Sequence, residues 1–150
     1  MDYRLKRKAT SLAFKLLTRR NRTGFELRQY LIRKGINDEI ADSVLDSMID
    51  YGYINDLEYS RCWVRSKLSG RGFLRLRYDL RGKGVCRDTI DQVFDEYGFS
   101  SEYECALKLI EKKNISLNGS GSLKKTLRVL SRRGYSYDVI NRICLNLLDN

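Results

Sequence analysis

The sequence contains no histidine and no proline among its 150 residues, a single tryptophan, and four cysteines. Without histidine, the chain lacks the usual proton acceptor near neutral pH and a principal zinc ligand. Cys62, Cys86, Cys105 and Cys144 are separated by 24, 19 and 39 residues with no Cys-x-x-Cys pair, which argues against a metal site. Neighbours such as Trp63-Val64 and Ile143 with Leu145 predict small buried thiols in a reduced, cytoplasmic protein. Apolar runs never exceed three residues, and the basic N-terminus lacks a signal-peptide core, so neither a membrane span nor export is expected. There is no phosphate-binding loop of Walker spacing, and Asp88, Asp91 and Asp95 read as a solvated helix face. These absences predict a binder without catalysis, cofactor or metal.

Acidic residues are outnumbered by basic ones. Lysine and arginine number 29 against 19 acids, giving a net charge of +10, a field that attracts polyanions. Apolar residues make up 42%, enough for a core in a chain of this size.

The chain repeats itself. Leu31-x-x-Lys34-Gly35-Ile36, Leu80-x-x-Lys83-Gly84-Val85 and Leu130-x-x-Arg133-Gly134-Tyr135 place their glycines 49 and 50 residues apart. Nine residues after each glycine stands a β-branched apolar residue, Val44, Val93 or Ile143. With Gly52 and Gly98 read as closing the first two repeats, the units are expected at 3–52, 53–98 and 99–150.

Inside each unit the periodicity is helical. Ile36, Ile40, Ala41, Val44, Leu45, Met48 and Ile49 form one apolar stripe running to about Tyr51. Thr23 and Glu26 have capping-box spacing and open the preceding helix, which Gly35 can end in a left-handed conformation. Leu12, Ala13, Leu16 and Leu17 mark the unit's first helix. The later units predict helices over 55–68, 72–83, 87–97, 101–113, 122–133 and 137–148, with a flexible linker at 118–122. The expected fold class is all-α: three tandem three-helix repeats forming an elongated, curved array of nine helices. Gly35, Gly84 and Gly134 are its structural turns.

Charge is sorted by helix. From residue 3 to 34 there are eleven basic residues against Glu26 alone, whereas 37–51 holds five acids and no base. The second helix of every unit is basic: Arg28, Arg33 and Lys34, then Arg71, Arg75, Arg77, Arg81 and Lys83, then Lys124, Lys125, Arg128, Arg132 and Arg133. Stacked units would merge these into one stripe suited to a linear phosphate chain, binding single-stranded or double-stranded DNA without reading sequence. Trp63, spaced with Tyr59 and Lys67, reads as a packing residue.

The run Tyr51-Gly52-Tyr53-Ile54-Asn55-Asp56-Leu57-Glu58-Tyr59, then Trp63-Val64-Arg65-Ser66, Arg71-Gly72-Phe73 and Leu80-Arg81-Gly82-Lys83-Gly84-Val85, resembles the central signature of the bacterial RecX family. Glu26-Leu27-Arg28 with Leu31 and Lys34-Gly35 resembles its first repeat, and the segment from Leu130 to Ile140 its last. The ordered set spans nearly the whole chain. Phe73 stands where that family often has proline, Gly82 interrupts the basic pair present at Arg33-Lys34 and Arg132-Arg133, and the third unit is shifted by one at Leu127-Arg128.

The resemblance implies a monomeric cytoplasmic regulator that binds the RecA recombinase filament on single-stranded DNA. It further implies restraint of ATPase, strand exchange and co-protease activity in recombination, DNA repair and the SOS response. From the residues alone, a general nucleoid-associated DNA binder remains the alternative, and a DNA-processing enzyme would need a carboxylate pocket of its own.

Overall fold

The computed structural model describes residues 2–115 and 121–149, which contain nine α-helices and no strand. The first unit comprises α1 (Tyr3–Leu17), α2 (Gly24–Arg33) and α3 (Asp38–Asp50). The second comprises α4 (Asp56–Lys67), α5 (Phe73–Gly82) and α6 (Arg87–Asp95), and the third α7 (Phe99–Lys112), α8 (Ser122–Arg132) and α9 (Tyr137–Leu148). Each has its own apolar core: Ala13, Leu27, Leu31 and Val44 in the first; Val64, Leu76, Leu80 and Val93 in the second; Ala106, Ile110, Leu130 and Val139 in the third. The chain is thus all-α, built from tandem three-helix repeats.

The repeated motif is a helix stop with a physical cause. Gly35, Gly84 and Gly134 adopt φ of +82°, +79° and +78°, a region that glycine enters without a Cβ penalty. The following amide then turns back to the carbonyl five residues earlier: Ile36 to Leu31, Val85 to Leu80 and Tyr135 to Leu130, each at 3.1 Å. This is the Schellman arrangement, and it brings the residue after the glycine onto the leucine. All six of these apolar residues are buried. A fully buried leucine contributes on the order of 2 kcal/mol, so the motif both ends the helix and seeds the core.

Capping sets the helix starts. Thr23 and Glu26 form the full reciprocal box at α2. The Asn37 side chain accepts from the Ile40 amide at 2.9 Å, which starts α3 at Asp38 and leaves Ile36 in the turn. Several expectations shift. Amides of Glu96 and Tyr97 bond three residues back, a tight turn that ends α6 at Asp95. Gly98, with φ of −85°, is the N-cap of α7 and opens the third unit's first helix instead of closing the second unit. In the expected linker, residues 118–120 lie outside the described residues, while Gly121 caps α8 and Ser122 begins it.

The thiols also differ from expectation: Cys62 and Cys86 are exposed, and Cys105 and Cys144 are half-buried. Ser60 and Val64 hold the inward face of α4, which turns Cys62 outward. Cys86 is the N-cap of α6, with Sγ 3.1 Å from Thr89 Oγ1, and this hydrogen bond holds its thiol below the ordinary value. Partial burial pushes Cys105 and Cys144 the other way.

Tyr135, the residue after the third turn glycine, is 2% exposed, and its hydroxyl has no hydrogen-bond partner among the described residues. Burial pushes this phenol up to about 12. Because the folded state holds the proton more tightly than the unfolded chain, stability is intact below about pH 10 and falls as pH rises from 10 toward 12. Tyr135→Phe is expected to raise stability at neutral pH by about 1 kcal/mol, by removing a desolvated hydroxyl, and to flatten that alkaline decline. Urea unfolding of both proteins across this pH range checks it.

Candidate nucleic-acid interface

The units are joined where the turn of one meets the second helix of the unit before it. At the first junction the Thr23 hydroxyl donates to the Lys83 carbonyl at 2.6 Å, and the Gly24 amide donates to Asp56 Oδ1 at 2.9 Å. The Phe25 ring lies against Gly84 so closely that a Cβ there would stand 2.2 Å from it. At the second junction the Gly72 amide donates to the Arg133 carbonyl at 2.9 Å and the Leu74 amide to the Gly134 carbonyl at 3.0 Å. Carbonyls at the C-terminal end of one second helix therefore face the N-terminal end of the next, a favourable alignment of dipoles.

Glu102 of α7 secures this second junction. It is 2% exposed; one carboxylate oxygen accepts from the amides of Phe73 at 3.0 Å and Ser136 at 2.8 Å, the other from the Ser136 hydroxyl at 2.6 Å. It thus satisfies orphan donors at the starts of both α5 and α9. The Phe73 amide is a donor that proline at this position would lack.

The consequence is a column in which α8, α5 and α2 follow one another end to end, roughly 50 Å at 1.5 Å per residue. Every basic residue singled out from the sequence lies on this column, but the structure divides them. Arg28 bonds Asp42 at 2.6 Å and Asp38 at 2.7 Å, tying α2 to α3, and these bonds raise its pKa. Arg77 does the same between α5 and α6, bonding Asp91 at 2.7 Å with its guanidinium 4.7 Å from the Phe94 ring. The Arg77 bond holds the Asp91 carboxyl below the usual carboxylate range. Arg71 and Arg75 share Asp79 at 2.6 and 3.3 Å, and Lys83 lies 3.6 Å from Glu26.

The remainder carry uncompensated charge. Arg33, Lys34, Arg81, Lys124, Lys125, Arg128 and Arg132 are exposed and make no ion pair with any described residue. Arg133 is exposed, and among the described residues its side chain bonds the Gly70 carbonyl, at 3.4 Å, and makes no ion pair. Free charge is therefore densest on α8. The one-residue shift of the third unit accounts for part of this, because Leu127 occupies the place of Arg28 and Arg77 and leaves Arg128 turned to solvent.

Sequence reasoning missed Gly72, Phe25 and Glu102. Gly72 stands twelve residues before its turn glycine, as Thr23 does, and a glycine at a helix start was the available signal for close backbone approach. Glu102 had no such signal, because its partners lie 29 and 34 residues away. Trp63 packs against the second core as expected, stacked on Tyr59 at 6.3 Å, and it also lines an open groove beside α5.

Among the described residues, no helix is long and apolar enough to cross a membrane. Family models described as the first and second three-helix domains of RecX match residues 9–48 and 55–93. Regulatory protein RecX of Amycolatopsis mediterranei is 36% identical over 134 residues, covering 86% of this chain and 77% of that one. Regulatory protein RecX of Thermobifida fusca is 31% identical over 141 residues, covering 91% and 76%. The crystal structure of RecX from Lactobacillus salivarius superposes with a TM-score of 0.86 at 23% identity over 97% of this chain and 98% of that one, a likeness of fold. Two matched domains in tandem, close curated relatives and a shared helical architecture make this chain a member of the RecX family of regulatory proteins.

Proposed function

We propose that this protein is a non-enzymatic, monomeric cytoplasmic regulator that lies along a RecA filament on single-stranded DNA. It restrains the filament's ATPase, strand-exchange and co-protease activities. The observation that carries this reading is the end-to-end column of basic second helices, whose free cations recur over about 50 Å and suit a target that is itself linear and anionic. RecX family membership supplies the recombinase as the target. Binding would bridge neighbouring recombinase subunits and resist the filament motions that accompany turnover. Individual exposed charges contribute little and the array contributes much.

The test is single-strand-dependent ATPase of purified RecA with increasing amounts of this protein, beside binding to the bare strand over a salt series. Inhibition well below one protein per recombinase subunit, at salt where the bare strand is no longer bound, is the expected result. Inhibition only when the strand itself is saturated would replace this reading with a general DNA-binding protein.

A further inference from the structure

Unit two departs from its neighbours at one position on the column. Two residues before the turn glycine, units one and three carry Arg33 and Arg132, whereas unit two carries Gly82. Gly82 is the last residue of α5, its φ lies outside the left-handed region, and a Cβ there would meet nothing within 4 Å. Neither backbone conformation nor packing calls for glycine, which weakens a helix relative to alanine. Open space of this kind suits close approach by a ligand.

Gly82 borders a groove of about 550 Å³ whose other walls include Trp63, Tyr78, Arg71, Arg81 and Lys83. The groove's acid, Asp79, is already paired with both Arg71 and Arg75, so the groove is cationic. Arg81 has no acidic partner among the described residues, and Lys83 Nζ sits 5.4 Å from the Trp63 ring centroid. Tyr78 is 68% exposed, with the Arg75 guanidinium 5.9 Å from its ring. The Trp63 ring forms part of the groove wall, while its indole N–H lies beneath the surface.

We infer that this groove holds one nucleotide of single-stranded DNA. The base stacks on Tyr78 across the space above Gly82, and the phosphates lie at the unpaired Arg81 and beside Lys83, whose ammonium also faces Glu26 at 3.6 Å. An acidic peptide would satisfy the cations but has no use for the exposed Tyr78 ring. This inference rests on the column meeting a single strand, as proposed above, and adds that unit two engages a base. Arginine at position 82, as in the other units, would extend into the same space.

Trp63 is the chain's only tryptophan, so its emission reports this groove directly. The full-length protein is titrated with a short oligothymidylate, with an abasic strand of equal length, and with polyglutamate, while a labelled strand reports binding independently. Thymidylate is expected to change Trp63 emission saturably, the abasic strand to bind about tenfold more weakly, and polyglutamate to leave the emission unmoved. Gly82→Arg adds a positive charge and a better helix former, yet is expected to weaken thymidylate binding about tenfold. Tyr78→Ala, at an exposed position, is expected to do the same.

The inference fails if the emission stays constant at saturating thymidylate, if abasic and thymidylate strands bind equally, or if polyglutamate gives the same response. It fails equally if Gly82→Arg binds as tightly as the parent or more tightly, as a purely electrostatic surface requires. ATPase measurements keep the two readings apart. Restraint of the recombinase by a protein whose Trp63 ignores the base removes the groove and retains the regulator. A Trp63 response without restraint removes the regulator and retains the groove.

Discussion

Reversing three charges on α8 together, Lys124→Glu, Lys125→Glu and Arg128→Glu, is expected to weaken single-strand binding roughly a hundredfold or more at low salt and to spare the fold. The change takes the net charge from +10 to +4, since each reversal subtracts two. All three side chains are exposed and make no ion pair with a described residue, so their reversal breaks no ion pair among the described residues. Lys124 and Lys125 stand near the start of α8, where carboxylates interact better than ammonium groups with the helix dipole, so thermal stability should hold or rise slightly. Every phosphate of a single strand that is no longer neutralised reduces the salt dependence by about 0.7, so the slope should become shallower by about 2.

The matched control reverses Arg28 and Arg77, which are equally basic in sequence but bonded to Asp42 and Asp91 across each unit. That variant should lose stability through like-charge repulsion and lose less binding. Fluorescence anisotropy across a salt series and a thermal melt measure both. Equal binding losses per reversed charge in the two variants would mean that charge count alone governs the interaction and that the pairing seen in the structure is irrelevant to it.

Gly72→Ala is expected to open the junction between the second and third units and to cost about 3 kcal/mol or more. The backbone at Gly72 is ordinary, with φ of −76° and ψ of 169°, so alanine can adopt it without strain. The obstacle is steric: a Cβ would lie 2.2 Å from both the Cα and the nitrogen of Tyr135, and 2.4 Å from the Gly134 carbonyl carbon. Backbone atoms cannot swing aside as the end of a side chain can. Separation would break the bonds from the Gly72 and Leu74 amides to the Arg133 and Gly134 carbonyls and pull Glu102 from the Phe73 amide.

The third unit retains its own core, so unfolding in urea should change from one transition to two, the weaker one belonging to residues of α7–α9. Gly70→Ala supplies the control two residues away, where a Cβ finds only the tip of Arg133 at 3.9 Å, and should be nearly neutral. A single unshifted transition for Gly72→Ala would show that the two units do not hold one another through this junction.

Local chemistry on the chain was enough to determine the repeat, the nine helices and the stops at Gly35, Gly84 and Gly134. A Schellman turn needs only a leucine, a glycine at the fourth position after it and an apolar residue next to that glycine, all within six positions of sequence. The capping box at Thr23 and Glu26 is equally short-ranged, and so is the sorting of charge onto second helices. Tertiary structure alone decided which cations remain available. Arg28 and Arg77 look like Arg33 and Arg81 until the third helix folds back fourteen residues later and brings Asp42 and Asp91 within bonding distance. It also decided that Gly72 is a meeting point between units, that Glu102 is buried across two helix starts, and that Gly82 leaves a groove open beside Trp63. The physical reason is range: caps and turns are settled by neighbours within a few residues, whereas charge compensation, close approach and open space depend on elements that meet only after the units have docked.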